Sequence, residues 1–412
     1  MGSQYDPVLG GLGVVAASVC VGIAGSTGST LRIVRIALAG AGRMGTAIAG
    51  RLRSAGHRLT LYDPALTSGG EAAPSLAAAA SRSVITFLCL PDAAAVEASL
   101  PGLREAAPPT VIDLTSSLPT TTRRMAAALA PLGVDYLDCP LSGGVAGARA
   151  GTLTAMAGGD KELVERVTPV LTAFASYVRW AGPLGSGHAV KALNNALSAV
   201  SLTGTGEMLV TAATYGAEEA TVIEAFNRGR ARSQNSEVKY PRDVLPRAYA
   251  AGFTAGLMEK DIGNAIRIAA DRSIPIPLLA GTSDAWREAA AVMGADADYT
   301  RVHQVIAARG GAQPESRQGF SLDVLERALA SLNLLAASEV MRVAAAEGLD
   351  HDRVLAIINT SSGRSEATRS HLAGEIDTVA LAAARDLAGR AGIWAPLTTL
   401  AAELVGAGGA RR

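Results

Sequence analysis

The sequence predicts an α/β chain in which a doubly wound parallel sheet is followed by an all-α domain and then by a degenerate repeat of that domain. Three observations carry this. Apolar runs alternate with helical stretches over residues 31–182, a glycine-rich turn joins the first run to the first helix, and the stretch 196–216 recurs as 328–348. A length of 412 residues suits two or three domains at roughly 150 residues each. The expected division is an extension over 1–30, the sheet domain over 31–182, a helical domain over 183–306 and its repeat over 318–405.

The elements of the first domain follow in order. IVRIALAG (33–40) is an apolar run ending in glycine, as a buried parallel strand does. TAIAGRLRSAG then reads as a helix ending at Gly56, and RLTLYD (58–63) as the next strand. VITFLCL (84–90), TVIDL (110–114) and VDYLD (134–138) close the series of strands. Between the first strand and helix lies GAGRMG, Gly40 to Gly45. In that context the motif has a mechanism. Gly40 makes the turn, Gly42 lets a pyrophosphate approach the backbone, Gly45 lets helix and strand pack, and the helix N-terminus holds the anion. Arg43 and Met44 belong to the same turn. Asp63, ending the second strand, can accept bonds from adenosine ribose hydroxyls and would repel a 2′-phosphate, so a Rossmann domain binding NAD rather than NADP is expected.

Composition narrows the function classes. Lys plus Arg and Asp plus Glu each number 37, giving a formal net charge of zero, which argues against a nucleic-acid partner. Aromatics at 4% argue against base-stacking platforms. Cys20, Cys89 and Cys139 lack CxxC spacing, and no two histidines have metal-ligand spacing, so neither disulfides nor a metal is expected. The expectation is a soluble cytoplasmic protein. Val8 to Ala24 stands apart as 17 uncharged residues, at the short limit of a membrane span. No Lys or Arg precedes it, and Asp6 breaks a myristoylation pattern at Gly2. An extension outside the fold is preferred over an anchor.

The candidate chemistry lies in GSGHAVKALNNAL (185–197). Lys191, Asn194 and Asn195 fall at i, i+3 and i+4 of a helix, hence on one face. A desolvated lysine can have its pKa lowered towards neutrality. Asparagines are poor residues for mid-helix unless something there uses them. Lys191 is therefore assigned as proton donor in reduction and acceptor in oxidation. Asn195 orients the lysine or the substrate oxygen, and Asn194 is a weaker substrate-binding candidate. His57 ends the first helix and packs there. His188, one turn before Lys191, either tunes it or sits at the pocket rim.

Together with DCPLSGGVAGARAGTLTAMAGGD (138–160) and FTAGLMEKDIGNA (253–265), these motifs resemble the β-hydroxyacid dehydrogenase family over about Ile33 to Trp286. The resemblance implies that Lys191 and its asparagine are catalytic and that Ser142, Gly143 and Gly144 hold a substrate carboxylate. It also implies that Lys260, paired with Asp261, lies near the cofactor, and that Leu90, Pro91 and Thr115 line the nicotinamide and ribose sites. The reaction implied is hydride transfer between nicotinamide and a small β-hydroxyacid or its semialdehyde. An imine reductase and a cofactor-binding pseudo-enzyme are the alternatives, and Lys191 counts against both. The arginine-bearing stretch Asn227–Arg247 reads either as a solvated connection or as a lid touching the substrate. Relatives carry a similar stretch there, which makes Asn235 a candidate substrate contact.

The recurrent stretch brings Glu207 onto Glu339, Asn227 onto Asn359 and Arg232-Ser233 onto Arg364-Ser365, with 307–319 as linker. Lys191 falls on Asp323, and Asn194 and Asn195 on Glu326 and Arg327, so the copy lacks the chemistry. The expectation is that residues 320–400 pack on the first helical domain as an internal partner. A pseudo-dimeric monomer or a small homo-oligomer would result.

Overall fold

The computed structural model describes residues 33–66, 71–310 and 320–409; the apolar stretch Val8–Ala24 and residues 311–319 of the expected linker lie outside the described residues. Eight strands form one sheet: β1 Arg35–Ala39, β2 Arg58–Tyr62, β3 Ile85–Leu88, β4 Thr110–Asp113, β5 Asp135–Asp138, β6 Leu141–Ser142, β7 Leu153–Gly158 and β8 Ala175–Gly182. Their order is β2-β1-β3-β4-β5-β7-β6, with β8 also on β7. The first five pair in parallel, Ile36 facing Leu59 on one side and Ile85 on the other. β1, β3 and β4 are buried on both faces, apart from Arg35, which is why they read as unbroken apolar runs.

The series does not close at β5, as the sequence suggested. β7 runs antiparallel to β5 and β6, and β8 runs parallel to β7. LTAMAG and ASYVRWAG are rich in Ala, Gly and Ser, so they lack the β-branched runs that mark the earlier strands. Two apolar clusters cover the faces of the sheet, one containing Ile48, Leu52, Phe87 and Phe174, the other Val96, Leu103, Met125 and Leu129.

A third cluster holds the helices beyond β8 together. At its centre is the 29-residue helix Ser186–Thr214, buried along almost its whole length. It crosses the helix Leu322–Ala346 so closely that a Cβ on Gly204 would lie 2.4 Å from Leu332 Cδ2. Among the described residues Leu322–Ala346 is the one helix long and apolar enough to cross a membrane, and 72% of its apolar window is buried here against protein.

Residues 132 positions apart make matching bonds in this helical mass. Asn227 Nδ2 donates to Ser236 O at 3.1 Å, and Asn359 Nδ2 to Thr368 O at 3.2 Å. Ser233 and Ser365 face each other in an antiparallel bridge. Around them Gln234 N donates to Arg364 O and Glu366 N to Arg232 O, both at 2.8 Å. Glu207 accepts from Leu397 N and Thr398 N at 2.9 Å each, at the start of helix Pro396–Gly409. Glu339 accepts from Leu278 N and Leu279 N at 3.0 and 2.9 Å, at the start of helix Pro277–Met293. Each glutamate thus satisfies two orphan N–H groups of a proline-initiated helix in the other unit.

Candidate active site

The glycine turn sits between β1 and the helix Arg43–Ser54, and its steric demands are severe. Gly40 has φ +98°, and a Cβ there would lie 2.1 Å from Cys89 O; one on Gly45 would lie 1.9 Å from Gly40 O. Gly42 has nothing within 4 Å of its would-be Cβ, so its face is open to a ligand. Asp63 fixes the turn from outside: Oδ2 accepts from Ala41 N at 2.7 Å and Oδ1 from Ala65 N at 2.9 Å. Its carboxylate is held at the wall of a cavity of about 950 Å³, with lone pairs remaining for ribose hydroxyls.

That cavity takes in the expected cofactor residues Gly40, Gly42, Arg43, Met44, Gly45, Asp63, Leu90, Pro91, Thr115 and Lys260, and it reaches Lys191 and Asp261. The loops after β3 and β4 are locked together beneath it. Leu90 N donates to Thr115 Oγ1, and Thr115 N to Asp113 Oδ1. Lys260 comes from the helix Ala255–Asp271 and donates to Pro91 O at 3.0 Å and Ser116 O at 3.1 Å, tying the helical unit to these loops. An open glycine face, a carboxylate at ribose distance along the next strand and a cleft of this size fit a dinucleotide.

At the inner end of the cavity lies a buried polar cluster. Lys191 is 6% exposed, and its Nζ donates to Asn195 Oδ1 at 3.2 Å. Asn195 Nδ2 donates to Asp261 Oδ2 at 2.6 Å, which sets the direction of the amide. Burial pushes the Lys191 pKa down; Asp261 opposes this and the Lys260 charge reinforces it. A lysine so lowered gives up its proton more readily than an exposed one, and its hydrogen-bond acceptor is fixed in place.

The central helix is aimed by its first turn. Asp138, ending β5, accepts from Gly185 N and His188 N at 2.8 Å each. His188 is fully buried beneath the site, 2.7 Å from Thr122 Oγ1 and 3.8 Å from Asp113 Oδ2, rather than at the rim. His57 accepts from Val34 N and packs under β1.

Three expectations need correction. Ser142 is buried in β6 opposite Thr154 and Gly143 packs over Leu153, so of the serine-glycine turn Gly144 alone reaches the cavity wall. Asn194 is fully buried with both ends of its amide engaged: Nδ2 donates to Asn195 Oδ1 and Ser362 Oγ, and Oδ1 accepts from Gly363 N. Its amide is turned to these neighbours rather than to the open cavity. Asn235 donates to Ser198 O inside the helical core, because residues 235–244 form a π-helical segment packed on the central helix rather than a lid. The arginines of that stretch are likewise spent elsewhere, Arg232 on Glu366, Arg242 on Asp243 and Arg247 on Glu219. The roles of Asp261 and of the Ser362-Gly363 loop were not visible in the sequence, the latter lying 171 residues beyond Lys191.

Fold and site together define a nicotinamide-dependent oxidoreductase. Residues 35–182 match the model described as the NAD binding domain of 6-phosphogluconate dehydrogenase, and residues 185–306 match that of the NAD-binding domain of NADP-dependent 3-hydroxyisobutyrate dehydrogenase. The chain is 31% identical to the 2-hydroxy-3-oxopropionate reductase of Escherichia coli over 290 residues, covering 66% of this chain and 97% of that one. A Mycobacterium tuberculosis 3-hydroxyisobutyrate dehydrogenase solved with L-serine superposes with a TM-score of 0.62 and 29% identity, over 66% of this chain and 99% of its own. A Plasmodium falciparum 6-phosphogluconate dehydrogenase shares the fold over 92% of this chain and 93% of its own, with a TM-score of 0.67 at 16% identity. The chain belongs to the β-hydroxyacid dehydrogenase family and is an NAD(P)-dependent oxidoreductase acting on CH–OH groups.

Proposed function

We propose that this chain interconverts a small β-hydroxyacid and its semialdehyde using NAD, in the cytoplasm, with Lys191 as the proton-transfer group. The observation that carries this is the buried Lys191–Asn195–Asp261 cluster opening on the same cavity as the glycine turn. The bound nicotinamide supplies the hydride acceptor or donor. Lys191 in its neutral form takes the proton from the substrate hydroxyl during oxidation, and as an ammonium gives it back to the carbonyl oxygen during reduction. Asn195 holds Nζ so that its remaining valences face the cavity, and Asp261 keeps the asparagine from turning its amide nitrogen towards the ammonium. Gly144, with φ of +67°, exposes its backbone at the cavity wall for the substrate carboxylate. Asp63 selects NAD by charge.

The helical unit beyond residue 320 serves, in this reading, as a built-in partner, so that the chain works as a pseudo-dimeric monomer or in a small assembly. A panel of 3-hydroxyacids and semialdehydes followed by NADH absorbance, with NADP in parallel, tests the proposal. Turnover of none of them, or a higher kcat/KM with NADP, would overturn the substrate class or the cofactor respectively.

A further inference from the structure

The loop Thr360–Gly363 belongs to the second helical unit but docks on the first one's polar cluster. Thr154 Oγ1 donates to Thr360 O at 2.9 Å, Asn194 Nδ2 to Ser362 Oγ at 2.9 Å, and Gly363 N to Asn194 Oδ1 at 2.9 Å. Asn194 then donates to Asn195 Oδ1 at 3.0 Å, the atom that also receives the Lys191 amine. We propose that Ser362 and Gly363 are positioning residues for the reaction, supplied in cis by the second helical unit, which fix Asn194 and through it the Asn195–Lys191 pair. The inference rests on the reading of Lys191 as the proton-transfer group.

The mirror contact shows what docking alone looks like. Ala231 N donates to Glu326 Oε1 at 2.8 Å, these residues standing 132 positions before Gly363 and after Asn194. There the contact leads nowhere: Arg327 turns to Asp323 and Asp377, and Arg230, the counterpart of Ser362, donates to Ala373 O. On the Lys191 side the same contact continues through two amides to the amine. An amide can face either way, and a flipped Asn195 would present N–H groups to the Lys191 ammonium. Asp261 and Asn194 hold it against the flip, Ser362 Oγ also donates weakly to Asn195 Oδ1 at 3.5 Å, and Asn194 is itself oriented by Gly363 N. Gly363 cannot carry a side chain here: a Cβ would lie 2.6 Å from Asn194 O and 2.9 Å from its Oδ1.

The test compares full-length Ser362→Ala, Ser362→Thr, Gly363→Ala, Glu326→Ala and Lys191→Ala with the parent chain. Lys191 is titrated in each by competitive labelling with acetic anhydride and peptide mass spectrometry, which needs neither cofactor nor substrate. kcat is measured with NAD on the best acid of the panel. Loss of one orienting bond should cost Ser362→Ala about five- to tenfold in kcat, with KM for NAD unchanged, and the larger displacement in Gly363→Ala more. In both, the Lys191 titration should move further down, because the ammonium loses a fixed acceptor. Ser362→Thr should restore the parent's values, and Glu326→Ala should match them. An unchanged Lys191 titration in Ser362→Ala and Gly363→Ala, or equal losses in Glu326→Ala, would overturn the inference alone. Parent-like turnover by Lys191→Ala would overturn the reading beneath it and the inference together.

Discussion

Replacing Asp63 by Asn isolates the charge proposed to set cofactor choice, because the side chain keeps its shape. Asp63 spends both oxygens on backbone, Ala41 N and Ala65 N. Asn retains one acceptor, so the turn loses about one hydrogen bond, roughly 1 kcal/mol, a cost that falls on NAD and NADP alike. The selective effects are two. NAD loses a charged acceptor at its ribose, about 1–2 kcal/mol. NADP is relieved of a repulsion that at about 5 Å amounts to roughly 1 kcal/mol in water and about 3 kcal/mol at an effective dielectric of 20. The selectivity ratio should therefore move towards NADP by about 2–5 kcal/mol, that is roughly 30- to 5000-fold. Paired kcat/KM measurements at one ionic strength read this directly. A ratio that stays within about threefold of the parent's would show that Asp63 only braces the glycine turn and that selectivity lies elsewhere.

Lys191→Ala should lower kcat by about 10²–10⁴-fold, the range for a positioned proton donor, while NADH still quenches protein fluorescence on binding; Asn195→Ala should lose less, because it orients rather than transfers. Glu207 is buried with its pKa raised by desolvation to about 7. Its folded-state value lies above the unfolded one, so stability is full below about pH 4.5 and falls as pH rises to 7, by about 3 kcal/mol. Glu207→Gln should flatten that part of the stability–pH curve by thermal unfolding, and an unaltered slope would put the titration elsewhere. A chain ending at Gly310 should expose the faces of the central helix around Gly204 and aggregate or self-associate by light scattering; a soluble, monomeric, fully active truncation would show the second helical unit to be an appendage.

β1, β3 and β4 were legible because they are buried on both faces, Arg35 apart, and so are spelled largely by Ile, Val, Leu and Phe. β7 is built mainly from Thr, Ala and Gly, whose burial is decided by close backbone packing, as where a Cβ on Gly158 would lie 2.4 Å from Asp138 Oδ1. At the site, Lys191 and Asn195 could be paired because helical spacing alone brings them together. Asn194 and Asn235 have the same composition signal but face partners 168 and 37 residues away, Ser362 and Ser198, which no local pattern encodes. The arginine-bearing stretch left two readings open for the same reason: Arg232 and Arg247 answer Glu366 and Glu219 on other helices, while Arg242 pairs with its neighbour Asp243.

The two helical units still match where a buried group has no cheap substitute. Glu207 and Glu339 each close two N–H groups at the start of a helix in the opposite unit, and removing either would leave buried donors without acceptors. Asn227 and Asn359 tie matching turns in the same way. Where Lys191 sits in one unit, Asp323 stands in the other with its side chain 73% exposed, free of any such constraint. The interface bonds are thus matched in the two units, while the Lys191–Asn195–Asp261 cluster proposed for acid–base chemistry lies in the first. Buried glutamates and close helix crossings join the units independently of Lys191, which is why Lys191→Ala should spare the fold while substitutions to Ala at Glu207 or Glu339 should not.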